Sequence, residues 1–182
     1  MTSPGGQTGS GWDRLRQAMA DFDERLRQNA KRMLLKAGQE LASDVRVRIL
    51  DGKGMKRLHP FTVAQKKSSK PLIDGGDLLG SVGVTPVSDF EVLVGVNRKA
   101  ADGTNLGALH ERENGTRIPV TPKMRGFLAA RGLHLKAGTK ELFIPGRPFL
   151  KPAYKDFRDR KAGENLAVEL VEQTLAGKGG KG

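Results

Sequence analysis

The residues most capable of proton transfer are the adjacent pair His110 and Glu111, because an imidazole and a carboxylate can act as general base and general acid. One interpretation is therefore a hydrolase built on this pair. Neighbouring residues of a strand point to opposite faces, however, and seldom act on one substrate atom. His59 and His134 lie in basic stretches with no carboxylate nearby in the sequence. The pattern favours structural histidines, and we do not expect an enzyme.

Metal and phosphate chemistry find equally little support in the sequence. The chain has no cysteine and no His-Glu-x-x-His motif. The glycine-rich pieces at 51–54 (DGKG) and 73–76 (IDGG) lack the Gly-Lys-Ser/Thr ending of a phosphate loop. The second piece also carries acids where a phosphate would need donors. Turns explain both pieces better, with Asp77 as a cap for one helical turn. We expect no cofactor, no metal and no small-molecule substrate.

Three short segments carry more information than these candidates. They are residues 71–81 (PLIDGGDLLGS), residues 109–111 (LHE) and residues 144–150 (IPGRPFL). Pro145 and Pro148 exclude the last segment from a helix interior or a central strand, because each proline removes a backbone donor and fixes φ. The segment is therefore predicted to be a stiff, extended connector that holds Arg147 and Phe149 in set directions.

Taken in order, these segments resemble the virion-morphogenesis, or tail-completion, proteins of tailed bacteriophages. The family pattern has a segment like 71–81 with Gly-x-Leu-x-x-Ser, a strand hairpin, a Tyr-Ala-x-x-His-Glu-x-Gly element and a closing Ile-Pro-x-Arg-Pro-Phe-Leu. The resemblance covers roughly residues 70–154. Leu106 and Gly107 replace the tyrosine and alanine of the middle element, and its final glycine is delayed to Gly115.

The resemblance implies a structural virion protein at the phage neck, assembled in the host cytoplasm. Such a protein completes the tail tube, forms a homo-oligomeric ring (a hexamer would match tail symmetry), and contacts the tube protein and head-side connector proteins while DNA passes. In such a ring, Phe149 would fill a neighbour's pocket and Arg147 would bridge to it, with His110 and Glu111 also at the interface. The alternative for Arg147 and Phe149 is packing of the C-terminal helix within one chain.

The net charge of +12 is concentrated in two stretches. Residues 51–70 hold six Lys or Arg and one acid, and residues 115–140 hold six Lys or Arg and none. Such stretches favour a polyanion, although a solubility surface is the plainer alternative. We expect the following side chains to face a ring lumen or an acidic partner surface: Lys123, Arg125, Arg131, Lys136 and Lys140.

A non-specific nucleic-acid-binding protein is the main competing function. Only Phe61 and Phe127 are aromatic within the two basic stretches. Because base stacking needs several exposed aromatics, any DNA contact is expected to be with phosphates and without base preference.

The fold predicted from the sequence is α+β, in a single domain over residues 12–176. A long helix over 12–50 carries an apolar stripe in steps of three and four, and Gly38 could bend it. Residues 82–154 supply a small, mostly antiparallel sheet built from 82–96 and 142–146, with 115–140 as an inserted loop. A helix over 155–176, beginning near Pro152 and interrupted at Gly163, closes the domain.

Two short flanking segments complete the prediction. Residues 1–11 are predicted to be a flexible leader, and residues 177–182 a flexible basic tail. No apolar run approaches 18 residues, so no membrane contact is expected, and no signal peptide is recognisable.

Overall fold

The computed structural model describes residues 10–66, 68–99 and 103–177. Most of the predicted leader and tail, residues 1–9 and 178–182, therefore lies outside the described residues. The elements in chain order are α1 (Gly11–Asp51), α2 (Pro60–Lys66), α3 (Asp77–Gly80), β1 (Val82–Ser88), β2 (Glu91–Val96), α4 (Leu106–Glu111), β3 (Thr116–Pro119), α5 (Pro122–Ala130), β4 (Glu141–Ile144), α6 (Leu150–Asp159) and α7 (Ala162–Leu175). The α+β class is confirmed.

Helix α1 begins and ends with strong local signals. Ser10 and Asp13 form a capping box, in which the Asp13 N–H donates to Ser10 Oγ and the Ser10 N–H donates to the Asp13 carboxylate. Gly52 ends the helix in the left-handed conformation, and its N–H donates to the Arg48 carbonyl. The predicted leader was thus two residues too long, since Ser10 and Gly11 already belong to the helix start.

Gly38 lies within the continuous helix α1 and does not end it. It is buried, and a Cβ there would lie 2.8 Å from Val84 Cγ1 and 3.4 Å from Val92 Cγ2. The glycine therefore lets the β1–β2 hairpin lie directly against the helix. The hairpin is antiparallel, with Val82 opposite Val96 and Val84 opposite Val94.

The sheet differs from the prediction. Strand β4 does not join the β1–β2 hairpin but pairs antiparallel with β3, with Thr116 opposite Ile144 and Pro119 opposite Glu141. The described residues thus form two separate two-stranded sheets. The segment expected to be an inserted loop, 115–140, is ordered: it contains β3 and α5, and Thr121 caps α5 by accepting from the Met124 N–H.

The C-terminal helix is broken earlier than predicted. Helix α6 ends at Asp159, and Lys161 adopts a left-handed φ of 56° before α7 begins. Gly163, where the interruption was expected, lies inside α7. Both helices pack against α1.

The core lies where α1, the hairpin and the start of α6 meet. Its buried residues are Ala42, Val45, Ile49, Leu78, Val82, Phe149 and Ala153. Among the described residues, no helix combines the length and the apolar character needed to cross a membrane.

Candidate functional site

The three segments singled out in the sequence come together at the start of α6. Helix α6 begins at Leu150 after Phe149, whose side chain makes no capping hydrogen bond. Glu111, the last residue of α4, provides the missing cap. Its Oε1 accepts from the N–H groups of Phe149 (2.8 Å) and Leu150 (2.7 Å), and its Oε2 accepts from that of Lys151 (3.2 Å).

This arrangement suits the electrostatics of a helix start. The first N–H groups of a helix have no partner within the helix, and the helix dipole favours a negative charge there. Glu111 supplies both the acceptor oxygens and the negative charge, although it lies about 40 positions before the start of α6 in the chain. The carboxylate therefore accepts from three backbone donors at the start of α6.

Phe149 lies in the core rather than on a surface. Its side chain is fully buried and packs with residues of α1, α3 and β1. Leu78, from the first of the three segments, belongs to the same buried cluster. The expectation that Phe149 fills a neighbour's pocket is thus replaced by the intramolecular alternative, because the phenyl side chain is not exposed in this chain.

Arg147 is also directed inward. It is 6% exposed, its Nε donates to the Lys56 carbonyl (2.9 Å), and its Nη2 donates to the Arg57 carbonyl (3.3 Å). Its backbone N–H donates to the His110 carbonyl (2.9 Å). Burial lowers the pKa of the guanidinium, although not far enough for it to lose its charge at neutral pH. Arg147 therefore bridges to backbone carbonyls of its own chain, as in the intramolecular alternative.

Gly146 permits the close approach of these segments. A Cβ at this position would overlap the carbonyl oxygen of Arg112, and it would lie 3.2 Å from the Glu113 carbonyl. Gly107, on the buried face of α4, has a similar role, because a Cβ there would lie 3.0 Å from Val96 Cβ. A glycine at this position of the middle motif therefore allows α4 to pack tightly on β2.

We call the assembly of Glu111, Gly146, Arg147 and Phe149 the clamp. It joins α4, the 56–57 backbone and the start of α6 into one unit. Lys151 adds an exposed ion pair with Glu113, which lowers the pKa of Glu113 and raises that of Lys151. The clamp is thus held by hydrogen bonds to backbone groups and by a close backbone contact at Gly146.

His110 lies beside the clamp and lines a groove of about 360 Å³. The groove is also bordered by Leu58, Lys66, Leu72, Asp77, Arg98 and Arg147, among others. Burial and, next, the charge of Arg147 lower the pKa of His110; Lys66 adds to this effect, and Glu111 opposes it. The imidazole is therefore neutral at pH 7. The sequence allows a strand or a short helical piece over 106–111, and the structure has the helix, with His110 and Glu111 as its last two residues.

The first segment, 71–81, shapes the groove through its turn. Gly75 and Gly76 both have positive φ, and Leu72 adopts a left-handed φ of 61°. Asp77 does not cap α3, because the N-cap residue is Gly76 and no side-chain cap bond is made. Instead, Asp77 pairs with Arg98 at 2.7 Å. The turn interpretation of the glycines is confirmed, whereas the capping role of Asp77 was wrong.

The two basic stretches meet in space. Gln65 of α2 donates to the carbonyl of Arg131, which follows α5 (3.4 Å). A second groove, of about 610 Å³, lies between residues 57–62 and the end of β4. Within the described parts of the two stretches, Arg117 pairs with Glu141, and the other basic side chains form no ion pair with described carboxylates. They are Lys53, Lys56, Arg57, Lys66, Lys70, Lys123, Arg125, Arg131, Lys136 and Lys140. We call them the basic surface.

The five cations predicted to face a lumen or partner divide into two groups. Arg125 is half-buried, and its guanidinium donates to the carbonyls of Leu135, Lys136 and Thr139, so it holds its own loop together. Arg131 lies over the Phe127 ring, 4.1 Å from its centre. The remaining three, Lys123, Lys136 and Lys140, are exposed, as is Arg131, and all four can meet a polyanion or an acidic surface.

No family model, curated protein or solved structure matches this chain. In the part of the chain that the structure describes, no group of three or more His, Cys, Asp or Glu could hold a metal ion. The clamp and the basic surface are therefore the features that bear on function.

Sequence reasoning placed Arg147, Phe149, His110 and Glu111 together but assigned them to an interface. It missed the capping role of Glu111. A signal was present: the predicted C-terminal helix follows Arg147, Pro148 and Phe149, none of which is a good N-cap residue, so its first N–H groups needed an acceptor from elsewhere. The carbonyls of Lys56 and Arg57 left no such signal, because any residue carries a carbonyl.

Proposed function

We propose that this chain is a structural virion protein of the phage neck, a tail-completion or terminator protein. Copies of it form a ring, by hypothesis a hexamer, that joins the tail tube to the head connector and lets DNA pass. The observation that carries the proposal is the clamp. The three segments on which the resemblance rests meet in one interlocked structure, with Leu78, Glu111 and Phe149 in or beside a single core.

A joint that transmits force needs elements that move as one body. The clamp ties α6 to α4 through Glu111, and Phe149 ties the start of α6 to α1. Arg147 adds the loop that carries half of the basic surface. This construction supports a mechanical role rather than turnover of a substrate.

The basic surface supports passage of, or contact with, DNA. Its side chains come from the two stretches that hold most of the net charge of +12. Repeated around a ring, such a surface would produce a strong positive field. Lys123, Lys136 and Lys140 are the members that we expect to face the lumen or an acidic neighbour.

The function is tested in the phage or prophage that encodes the chain. Removing the gene should give filled heads and separate tails in electron micrographs, and an antibody to the chain should label the neck of intact particles. A chain that is missing from purified particles, or whose loss leaves joined and infectious particles, would refute the proposal.

Charge reversal tests the role of the basic surface in the same system. Lys123→Glu, Lys136→Glu and Lys140→Glu together should reduce particle joining or DNA delivery. The matched control reverses three exposed cations elsewhere that form no ion pair with a described carboxylate, Lys99, Arg112 and Lys155, with the same change in net charge. Equal phenotypes for both triple variants would mean that only total charge matters.

A second candidate function is non-specific binding of nucleic acid by the free chain, which is favoured by the same uncompensated cations. Phosphate neutralisation predicts a steep salt dependence, with log K falling by about 0.9 per phosphate contacted for each unit of log salt. Fluorescence anisotropy with duplex DNA at several salt concentrations measures that slope. Tight binding together with absence from particles would favour this candidate over the neck protein.

A further inference from the structure

The second groove, between residues 57–62 and the end of β4, has the composition of an anion site with apolar walls. Its volume of about 610 Å³ is within the range of sites that hold small organic ligands, roughly 300–1,000 Å³. Among the described residues that line it, none is acidic, and Arg57, His59 and Arg147 carry nitrogen donors. The other lining side chains are apolar, apart from Thr62. A ligand with a negative charge and an apolar part therefore fits this groove.

Arg147 gives the groove a positive charge that no described carboxylate neutralises. Its guanidinium donates to the carbonyls of Lys56, Arg57 and Pro145, which are uncharged acceptors. Burial lowers the pKa of this guanidinium, and no described carboxylate counteracts that effect. A buried cation without a counter-ion is costly, so an anion bound in the groove would stabilise this part of the clamp.

Further donors in the groove are available to a ligand. Within the described part of the chain, neither the exposed guanidinium of Arg57 nor the hydroxyl of Thr62 forms a hydrogen bond. The Phe61 N–H donates to Nδ1 of His59 (3.2 Å), which leaves Nε2 of that imidazole as a donor. Guanidinium, hydroxyl and imidazole groups are all suitable donors to phosphate oxygens.

An exposed aromatic ring forms part of the opposite wall. Phe143 of β4 is 55% exposed. A Cβ at Gly115 would lie 2.8 Å from Cε2 and Cζ of this ring, so one edge of the ring packs against the bare backbone of that glycine. The ring is thus held in place while much of it stays open to a ligand. The sequence gave no warning of this, because Phe143 lies three residues beyond the second basic stretch.

These features favour a single nucleic-acid strand over other anions. A free phosphate, or a run of acidic side chains, would use the donors and leave the ring of Phe143 bare. A duplex offers phosphates but keeps its bases stacked inside. A single strand offers phosphates together with unpaired bases, which stack on exposed aromatic rings. Its next phosphate also meets Lys56, an exposed cation beside Arg57 in the chain.

We infer that the second groove binds single-stranded nucleic acid, with an unpaired base stacked on Phe143 and a neighbouring phosphate at Arg57 and Thr62, close to the charge of Arg147. Such a site reads no particular sequence, because every base has a face that can stack. The inference goes beyond the proposed function, in which DNA only passes the chain. It also adds stacking to the phosphate contacts expected from the sequence.

The test measures fluorescence anisotropy of a labelled oligothymidylate of about 15 nucleotides, near the upper end of site sizes for small single-strand-binding domains. Phe143→Leu keeps an apolar side chain but loses the flat ring, so it should weaken binding about fivefold or more. Phe143→Tyr keeps the ring and should bind like the wild type. The matched control is Phe90→Leu, because Phe90 is 63% exposed in the turn between β1 and β2 and lies outside the groove.

A second pair of variants tests the phosphate contact. Arg57→Gln should weaken binding and reduce the slope of log K against log salt by about 0.7, the value for one phosphate contact on a single strand. Arg14→Gln removes the same charge from an exposed position near the start of α1, so it should leave the slope unchanged. Far-ultraviolet circular dichroism checks that each variant is folded like the wild type.

Three results would overturn the inference. They are absence of single-strand binding at low salt, wild-type affinity in Phe143→Leu, and displacement of the oligonucleotide by polyglutamate as readily as by unlabelled single strand. The last result would identify an acidic protein segment as the ligand instead. Each is separable from the neck assignment, which depends on labelling of particles. Duplex binding that is unaffected by Phe143→Leu would refute the stacking site and leave the second candidate function standing.

Discussion

Removing the carboxylate of Glu111 should destabilise the whole domain, although the residue is only partly buried. The change Glu111→Ala leaves the N–H groups of Phe149, Leu150 and Lys151 without their acceptors. It also removes the negative charge of the carboxylate, which these N–H groups bind at the start of α6. The effect should reach beyond α6, because Phe149 belongs to the main core.

The size of the effect follows from two sources. A hydrogen bond to a charged group contributes about 1.5–3 kcal/mol net, and loss of a helix N-cap costs about 0.5–2 kcal/mol. The three bonds share one carboxylate and are not additive, so we expect about 3 kcal/mol for Glu111→Ala. For a chain of this size that lowers Tm by about 6–12 °C. Glu111→Gln keeps one carbonyl acceptor and should lose about half as much free energy.

The assay is urea unfolding followed by far-ultraviolet circular dichroism. Tryptophan fluorescence is a poor reporter here, because Trp12 is 72% exposed near the start of α1. The matched control is Glu113→Gln, two residues away, whose carboxylate pairs with the side chain of Lys151 in solvent. Exposed pairs contribute little to stability, so the control should unfold near the wild-type midpoint. Equal losses for Glu111→Ala and Glu113→Gln would refute the capping argument.

Three further predictions concern the clamp and its surroundings. The pKa of His110 in the folded chain is lowered below the ordinary value near 6.5, so the unfolded chain binds more protons at this residue. Stability should therefore fall as pH drops below about 7. The change His110→Gln should flatten this part of the profile of Tm against pH. Arg147→Lys should lose about 1–3 kcal/mol in urea unfolding, since one ammonium cannot serve the carbonyls that the guanidinium reaches, and Arg147→Met should lose at least as much. Gly146→Ala should lower Tm because a Cβ overlaps the Arg112 carbonyl, whereas Gly126→Ala, inside α5 with open space around it, should add about 0.5–1 kcal/mol; the opposite order would contradict the packing at Gly146.

Local patterns in the sequence predicted the elements that local physics determines. The long helix follows from an apolar stripe in steps of three and four, and the hairpin follows from alternating valines around a polar turn. Gly52 as the end of α1 is a similar case, because glycine adopts the left-handed conformation without cost.

Pairings between distant residues were not predictable in this way. The four-residue strands β3 and β4 carry too few side chains to specify a partner, so β4 was assigned to the hairpin instead of β3. Lys161 in the left-handed region is unusual for a residue with a Cβ, so the helix break was expected at Gly163 instead.

The candidate site was predicted in part. The three segments identified the residues of the clamp, because prolines, glycines and a charged pair in a short span suggest special backbone geometry. The inward direction of the Phe149 and Arg147 side chains was not predictable, because their burial depends on where α1 and residues 56–57 lie in space.

The bond between Asn29 and Thr174 joins residues 145 positions apart, which has a consequence for biosynthesis. At about 5–20 residues per second, a ribosome needs on the order of 10–30 s to deliver α7 after the buried part of α1 has emerged. During that interval the part of α1 that α7 will cover is bare, even after the hairpin has been made. Chaperones that capture amphipathic segments therefore have their best opportunity before translation of this chain is complete.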